Sequence, residues 1–263
     1  MGTSAALTGL ADRIGPVPGS AATAVGFLLG AIIGSFLAAT LIRWPQGRSV
    51  IRGRSRCDHC GRSLSLVELV PILSWLVQRG KCRKCGAAID PRHLAIELGG
   101  AVIAVTAILA HPLPLALLTA LLGWWLFLLA ALDVEYQWLP DRLTLPLVPA
   151  GLAAAAIGIG PGLADRLIGA AAGFASLAAI GFLYRRIRGR DGLGGGDPKL
   201  FAAIGAWLGW AQLPIVLLGA GLIGLAVLTL RRLRGGTVAA TDRLPLGALM
   251  ALAAWPIWLL IAR

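Results

Sequence analysis

Two aspartates stand at the ends of apolar runs, where an ionised side chain is costly to hold. Asp133 closes one run, in Leu132-Asp133-Val134-Glu135-Tyr136-Gln137-Trp138-Leu139-Pro140-Asp141, and Asp197 opens another, in Gly194-Gly195-Gly196-Asp197-Pro198-Lys199. Each alone admits a plain explanation as an ion pair or a helix cap, and Pro198 at a first helical position suits capping by Asp197. A pair invites a chemical reading. Two carboxylates held close do not both ionise cheaply, so one keeps a proton while the other serves as base toward a water, which is the chemistry of peptide-bond hydrolysis. The run Gly194 to Gly196 leaves backbone open to an extended substrate strand. Proton-coupled transport, which also places aspartates at broken helices, is the competing chemistry.

A second cluster is built of sulfur. Cys57-Asp58-His59-Cys60 and Cys82-Arg83-Lys84-Cys85 are each followed by a glycine, Gly61 and Gly86, as in zinc knuckles where a tight turn points backbone amides at thiolate sulfur. Four thiolates close a tetrahedral site and leave no position for water, so the expected metal is a structural Zn2+ held by Cys57, Cys60, Cys82 and Cys85. In a reducing compartment C-x-x-C pairs read as metal ligands; reduced thiols or a labile disulfide are the alternatives. His59, inside the first knuckle, reads as a surface residue.

The elements that must position these groups are apolar helices. Of 263 residues, 57% are hydrophobic and 14% charged, and the mean hydropathy is +0.80, outside the range of a soluble domain. The 35 glycines suit helices packed through small residues in lipid. Segments apolar enough to cross or nearly cross a bilayer run from Thr23 to Ile42, Leu94 to Ala110, Leu113 to Leu132, Leu143 to Ile159, Leu167 to Leu183, Leu200 to Trp210, Leu213 to Leu230 and Leu246 to Ile261. The sixth is short, and its Gly205 and Gly209 suggest a close-packed helix beside a functional loop. The expected fold is an all-α polytopic membrane protein of about eight transmembrane helices, with a small cytoplasmic zinc-ribbon insert between the first and second.

Charge supports that count. The net charge of +12 is spread over separate short segments, which suits lipid orientation and argues against a nucleic-acid partner. Connections Arg43 to His93, Asp133 to Arg142, Arg185 to Lys199 and Arg231 to Arg243 fall on one side by parity and hold nearly every Lys and Arg. The opposite connections carry a single arginine, Arg166. The N-terminus lacks the basic flank and cleavage site of a removable signal peptide and reads as part of the mature chain.

Taken in order, Gly34-Ser35-Phe36-Leu37, Arg43-Trp44-Pro45, the cysteine ribbon, Glu68-Leu69-Val70-Pro71, Glu97, Asp133, Leu139-Pro140-Asp141, Gly194 to Leu200, Gly205 and Leu244-Pro245-Leu246-Gly247 resemble the type IV prepilin peptidases, a branch of the G-x-G-D membrane aspartyl proteases. The resemblance implies an enzyme of the bacterial inner membrane that removes the basic leader of type IV prepilins and pseudopilins after a glycine, at the cytoplasmic face. It implies Asp133 and Asp197 as the catalytic pair, with Asp141 and Glu135 as tuning or positioning neighbours and Lys199 available to a carboxylate or a lipid phosphate. It further implies methylation of the new N-terminal residue with S-adenosylmethionine, Gly34, Glu68 and Glu97 being the candidates for holding cofactor or amine. The expected domains are 1–44, a periplasmic N-terminus and first helix; 45–93, the insert and methyltransferase part; and 94–263, a seven-helix peptidase domain. Ala38 stands where the family usually has asparagine and His93 where tyrosine is common, so a peptidase lacking methyltransferase activity is the alternative. A transporter or a zinc-ribbon scaffold is a more distant one, since no internal repeat is visible. Because leader and cytoplasmic face are both basic, local acids such as Asp58, Glu68 and Glu135 are expected to meet the substrate.

Overall fold

The computed structural model describes residues 19–50, 54–236 and 244–262; the expectations for residues 1–18 and for the end of the last basic connection lie outside them. The described residues are helical and contain no strand, only two isolated bridges, Arg56 with Ser63 and Lys81 with Ala88. The helices are α1 (Ser20–Arg43), a short α2 (Leu73–Val77), α3 (Pro91–Ala110), α4 (Leu115–Tyr136), α5 (Asp141–Ala156), α6 (Leu163–Arg188), α7 (Asp197–Leu208), α8 (Leu213–Leu233) and α9 (Leu246–Ile261). Each of the eight expected apolar segments coincides with one of them, and the cysteines lie between the first two long helices. Five helices are long and apolar enough to cross a bilayer, α1, α3, α4, α6 and the helix through α8. The chain is a multi-pass membrane protein.

The chain divides into two compact units, Met1–Trp124 and Trp125–Arg263, with the division inside α4. In the first, α1 and α3 pack antiparallel through glycines spaced by four. A Cβ on Gly34 would lie 2.7 Å from Glu97 Cα, and one on Gly100 2.9 Å from Gly34 Cα, so only glycine lets these backbones touch. The indole of Trp124 donates to the Gly100 carbonyl at 2.9 Å and fixes the register from the side.

In the second unit the short α7 is the centre. All twelve of its residues except Lys199 are buried, which explains why it need not span: its neighbours cover it on every side. A Cβ on Gly169 of α6 would lie 2.5 Å from Gly205 O, one on Gly173 2.6 Å from Phe201 O, and one on Gly151 of α5 2.6 Å from Ala206 O. Trp207 of α7 donates to Leu147 O at 2.9 Å, securing α5, whose Pro146 and Pro149 weaken its own ladder. Gly209, at φ +77° and ψ 168°, ends α7 in an extended positive-φ conformation that glycine alone adopts without strain.

The solitary Arg166 has a structural cause. Its side chain is 0% exposed, and its guanidinium donates to Gly151 O at 2.5 Å, to Pro161 O at 2.9 Å and to Ile159 O, with the face of Trp258 at 5.9 Å. It thereby satisfies the Ile159 and Pro161 carbonyls of the loop between α5 and α6 and adds a donor to the Gly151 carbonyl inside α5. Arg166→Leu is expected to cost at least about 2 kcal/mol by stranding those acceptors. That would lower the thermal midpoint in detergent, followed by tryptophan fluorescence, by about 5 °C or more. An unchanged midpoint would show that the latch carries no stability.

Candidate functional site

Asp133 lies in the last turn of α4, the negative end of the helix dipole and a poor place for a buried carboxylate. The compensation comes from the start of α9. Pro245 caps that helix, and the amides of its first turn have no acceptor within it. Ala248 N–H donates to Asp133 Oδ2 at 2.9 Å, and the Gly247 amide faces the same carboxylate.

Asp197 opens α7, where a carboxylate is favoured. Gly194 N–H donates to its Oδ2 at 3.0 Å, and its own amide returns to Gly194 O at 3.2 Å, a reciprocal turn that orients the side chain. The Gly247 amide also reaches Asp197, whose charge interacts with that of Asp133. The two carboxylates, 6% and 8% exposed, are thus each held by a backbone N–H and lie near enough for their charges to interact. They line a cavity of about 980 Å³ with Trp138, Tyr184 and the glycine run.

The glycines play different parts. A Cβ on Gly196 would lie 2.6 Å from Leu139 Cβ, and one on Gly247 3.0 Å from Asp133 Oδ2, so these two admit no side chain, while Gly195 faces open space. Gly247 and Ala248 were not assigned a role from the sequence; Pro-x-Gly at the head of an apolar helix, a set of free amides, was the available signal. Lys199 Nζ pairs with Asp141 at 2.7 and 2.8 Å, which holds Asp141 away from the pair, and Glu135 is exposed.

The four cysteines converge. Their Sγ atoms lie within 4.8 Å of one another, and those of Cys57 and Cys85 are 3.9 Å apart, against about 3.8 Å for a tetrahedral site with metal–sulfur bonds of about 2.3 Å. The knuckles are built alike: Gly61 N–H donates to Cys57 O and Cys57 N–H to Arg62 O, while Gly86 N–H donates to Cys82 O and Cys82 N–H to Ala87 O. Gly61 and Gly86 take φ of +68° and +70°. This cluster could hold a metal ion. His59 is exposed beside it.

A second cavity, of about 450 Å³, is confined to the first unit and is lined by Ser35, Asp58, Glu68, Trp75, His93 and Glu97 among others. Glu68 is held by Arg62 at 2.5 and 3.1 Å and closes a capping box with Ser65. The Arg62 guanidinium, then the Ser65 amide, bring its carboxyl down to about 2. Its stabilising contribution is therefore complete above the usual carboxylate range and is lost as pH falls towards about 2. Glu97 accepts from Ile72 N–H at 2.7 Å. Gly34 is the contact point of α1 with Glu97, and its neighbour Ser35 lines the cavity. The indole N–H of Trp75 is buried without a partner, an orphan donor that suits a ligand with acceptor groups. Asp58, expected to meet a basic substrate, is engaged by Arg48 at 2.9 Å.

Helices of this length around two buried, amide-held aspartates, with a separate four-cysteine centre, define a polytopic membrane protein of the aspartyl peptidase kind. Residues 28–111 match the model of the bacterial peptidase A24 N-terminal domain, and residues 120–229 that of the type IV leader peptidase family. The chain is 41% identical over 202 residues to a prepilin leader peptidase/N-methyltransferase of Dichelobacter nodosus, covering 76% of this chain and 69% of that protein. It is 36% identical over 273 residues to one of Burkholderia pseudomallei (94% and 88%), and 34% identical over 255 residues to one of Aeromonas salmonicida (87% of each). No solved structure matches. The chain belongs to the type IV leader peptidase family, and it is an enzyme.

Proposed function

We propose that this enzyme removes the basic leader of type IV prepilins and pseudopilins after a glycine, with Asp133 and Asp197 as an aspartyl dyad, and then methylates the new amino terminus. The observation that carries the reading is the pair of buried carboxylates, one held by Ala248 N–H and the other by Gly194 N–H, at the wall of one open cavity. One carboxyl carries the proton and the other takes a proton from a water molecule. The water oxygen bonds to the scissile carbonyl carbon, the protonated carboxyl gives its proton to the amide nitrogen, and the C–N bond breaks. Gly195 leaves the cavity wall bare for an extended chain.

Methylation is assigned to the first unit and to the insert 45–93. S-adenosylmethionine, when bound, supplies an electrophilic methyl group. The cavity of about 450 Å³ is of ligand size, and the orphan indole of Trp75 fits an acceptor on such a ligand. Glu97 and Glu68 act there as positioning residues, one through Ile72 and the other through Arg62 and Ser65. Zn2+ at the cysteines is the fold-giving metal. By the positive-inside rule the basic connections place the site at the cytoplasmic face of the bacterial inner membrane.

Purified enzyme incubated with a prepilin, with and without S-adenosylmethionine, should yield a product lacking its leader in both cases and carrying one added methyl mass only with cofactor. Glu68→Gln should leave leader removal nearly intact while the methylated product falls sharply. A wild-type product that never gains the methyl mass would leave a peptidase alone, with Ala38 the first residue to restore to asparagine.

A further inference from the structure

The insert carries a run of twelve residues, Leu66 to Val77, that differs from the rest of it. Its one charged side chain, Glu68, is turned inward and pinned by Arg62 and Ser65. What remains outward is apolar: Leu66 is 85% exposed, and Val67, Leu73, Leu76 and Val77 are all more than half exposed. The opposite side, with Glu68, Leu69, Ser74 and Trp75, lines the cavity of about 450 Å³. A water-facing segment would not present such a surface.

Its position says what covers it. Ile72, at the middle of the run, donates to Glu97 on α3 at 2.7 Å, and it does so from a γ-turn, with φ +63° and Leu73 N–H returning to Pro71 O at 2.6 Å. That conformation is strained for a β-branched residue and persists only where the surroundings hold it. Glu97 is the seventh residue of a membrane-crossing helix and the fourth of its apolar segment from Leu94, so the tether lies about 4.5–9 Å inside the end of the span. This is the depth at which interfacial helices bury their apolar faces, about 5–10 Å. Leu98 and Val102 of α3 are exposed as well, an apolar face on the same spanning helix that carries the tether. Exposed Arg79 and Lys81 directly follow the run, the sign that suits anionic headgroups.

We infer that Leu66 to Val77 is a monotopic anchor whose outer face is seated in the headgroup–acyl boundary of the bilayer. Glu97 sets its depth, and the seating holds the cavity against the membrane surface. Given the proposed function, an amine freed at the membrane face would enter the cavity without crossing bulk water.

The test is photo-crosslinking of the full-length protein in vesicles of phosphatidylethanolamine and phosphatidylglycerol. Benzoylphenylalanine is introduced singly at Val67, Leu73, Leu76 and, as a water-facing control, Lys84; three anchor positions keep the result readable if one variant fails to fold. Mass spectrometry should find phospholipid adducts at the anchor positions in at least about fivefold excess over Lys84, undiminished by saturating prepilin. Lipid adducts no more frequent than at Lys84 would overturn the anchor. Adducts to prepilin or to a second copy of the chain in place of lipid would do so too, and would make the run a protein-docking face. The readout needs neither cleavage nor methyl transfer, so its failure is distinct from failure of the proposed function.

Discussion

Asp133→Asn and Asp197→Asn should each lower leader cleavage by at least about 10³-fold while leaving the protein folded, because in the proposed mechanism each carboxylate is one half of the proton relay. Asparagine keeps an acceptor oxygen for the amides that hold the carboxylates, so Ala248 N–H and Gly194 N–H retain partners. What is lost is the capacity to hold and release a proton. Lys199 is engaged by Asp141, and Glu135 stands at the surface, so neither relieves the loss. Cleavage is read by mass on a full-length prepilin in detergent or vesicles. In the same preparations, methylation of a pilin already lacking its leader should persist in both variants, since that chemistry is assigned to the other unit. Substantial processing by both single variants would reject the dyad.

The second large effect is expected at the sulfur cluster. Wild-type protein purified without chelator should contain about one zinc per chain, and Cys82→Ser should lose it, because a structural zinc contributes about 10–16 kcal/mol of folding free energy to a small module. Cys82 is the buried member of the four cysteines, at the centre of the second knuckle, so loss of its sulfur would remove the innermost of the proposed ligands. Arg62, which emerges from the first knuckle to hold Glu68, would lose its fixed base. Methyl transfer should therefore disappear together with protection of residues 54–90 from protease. Leader cleavage should fall less, and only indirectly. Wild-type protein free of zinc, or a Cys82→Ser variant with unchanged zinc content, would remove the metal from the account.

The surroundings of the acids bear on substrate attraction. Asp58 and Glu68 are engaged by Arg48 and Arg62, and Asp191 at the larger cavity by Arg185. The exposed pairs with Arg48 and Arg185 are worth little and exchange readily with a basic leader, whereas the inward Glu68 pair does not.

Much was legible from residue order alone. Apolar runs of bilayer length are read in one dimension, because lipid forces every backbone group to be satisfied within its own segment, and all eight were found as helices. The paired C-x-x-C-G pattern is similarly local, since four residues and a left-handed glycine build each half of the site. The two aspartates stood out because a charge at the edge of an apolar run has few inexpensive explanations.

Other features depend on contacts between distant residues. Nothing near Asp133 in sequence announces that its partner is an amide 115 positions later, at the head of α9. The burial of α7 follows from glycines on α5 and α6 and not from its own composition. Arg166, which by sequence was a lone positive charge on the less basic side, turned out to be an internal latch for carbonyls. Glu68 shows the limit most clearly: in sequence it is a free acid amid apolar residues, and only folding brings Arg62 and Ser65 against it. Length, periodicity and local turns therefore set the elements, while desolvation of polar groups, which depends on what packs beside them, decided which carboxylates remain available for chemistry and which serve only to hold the chain.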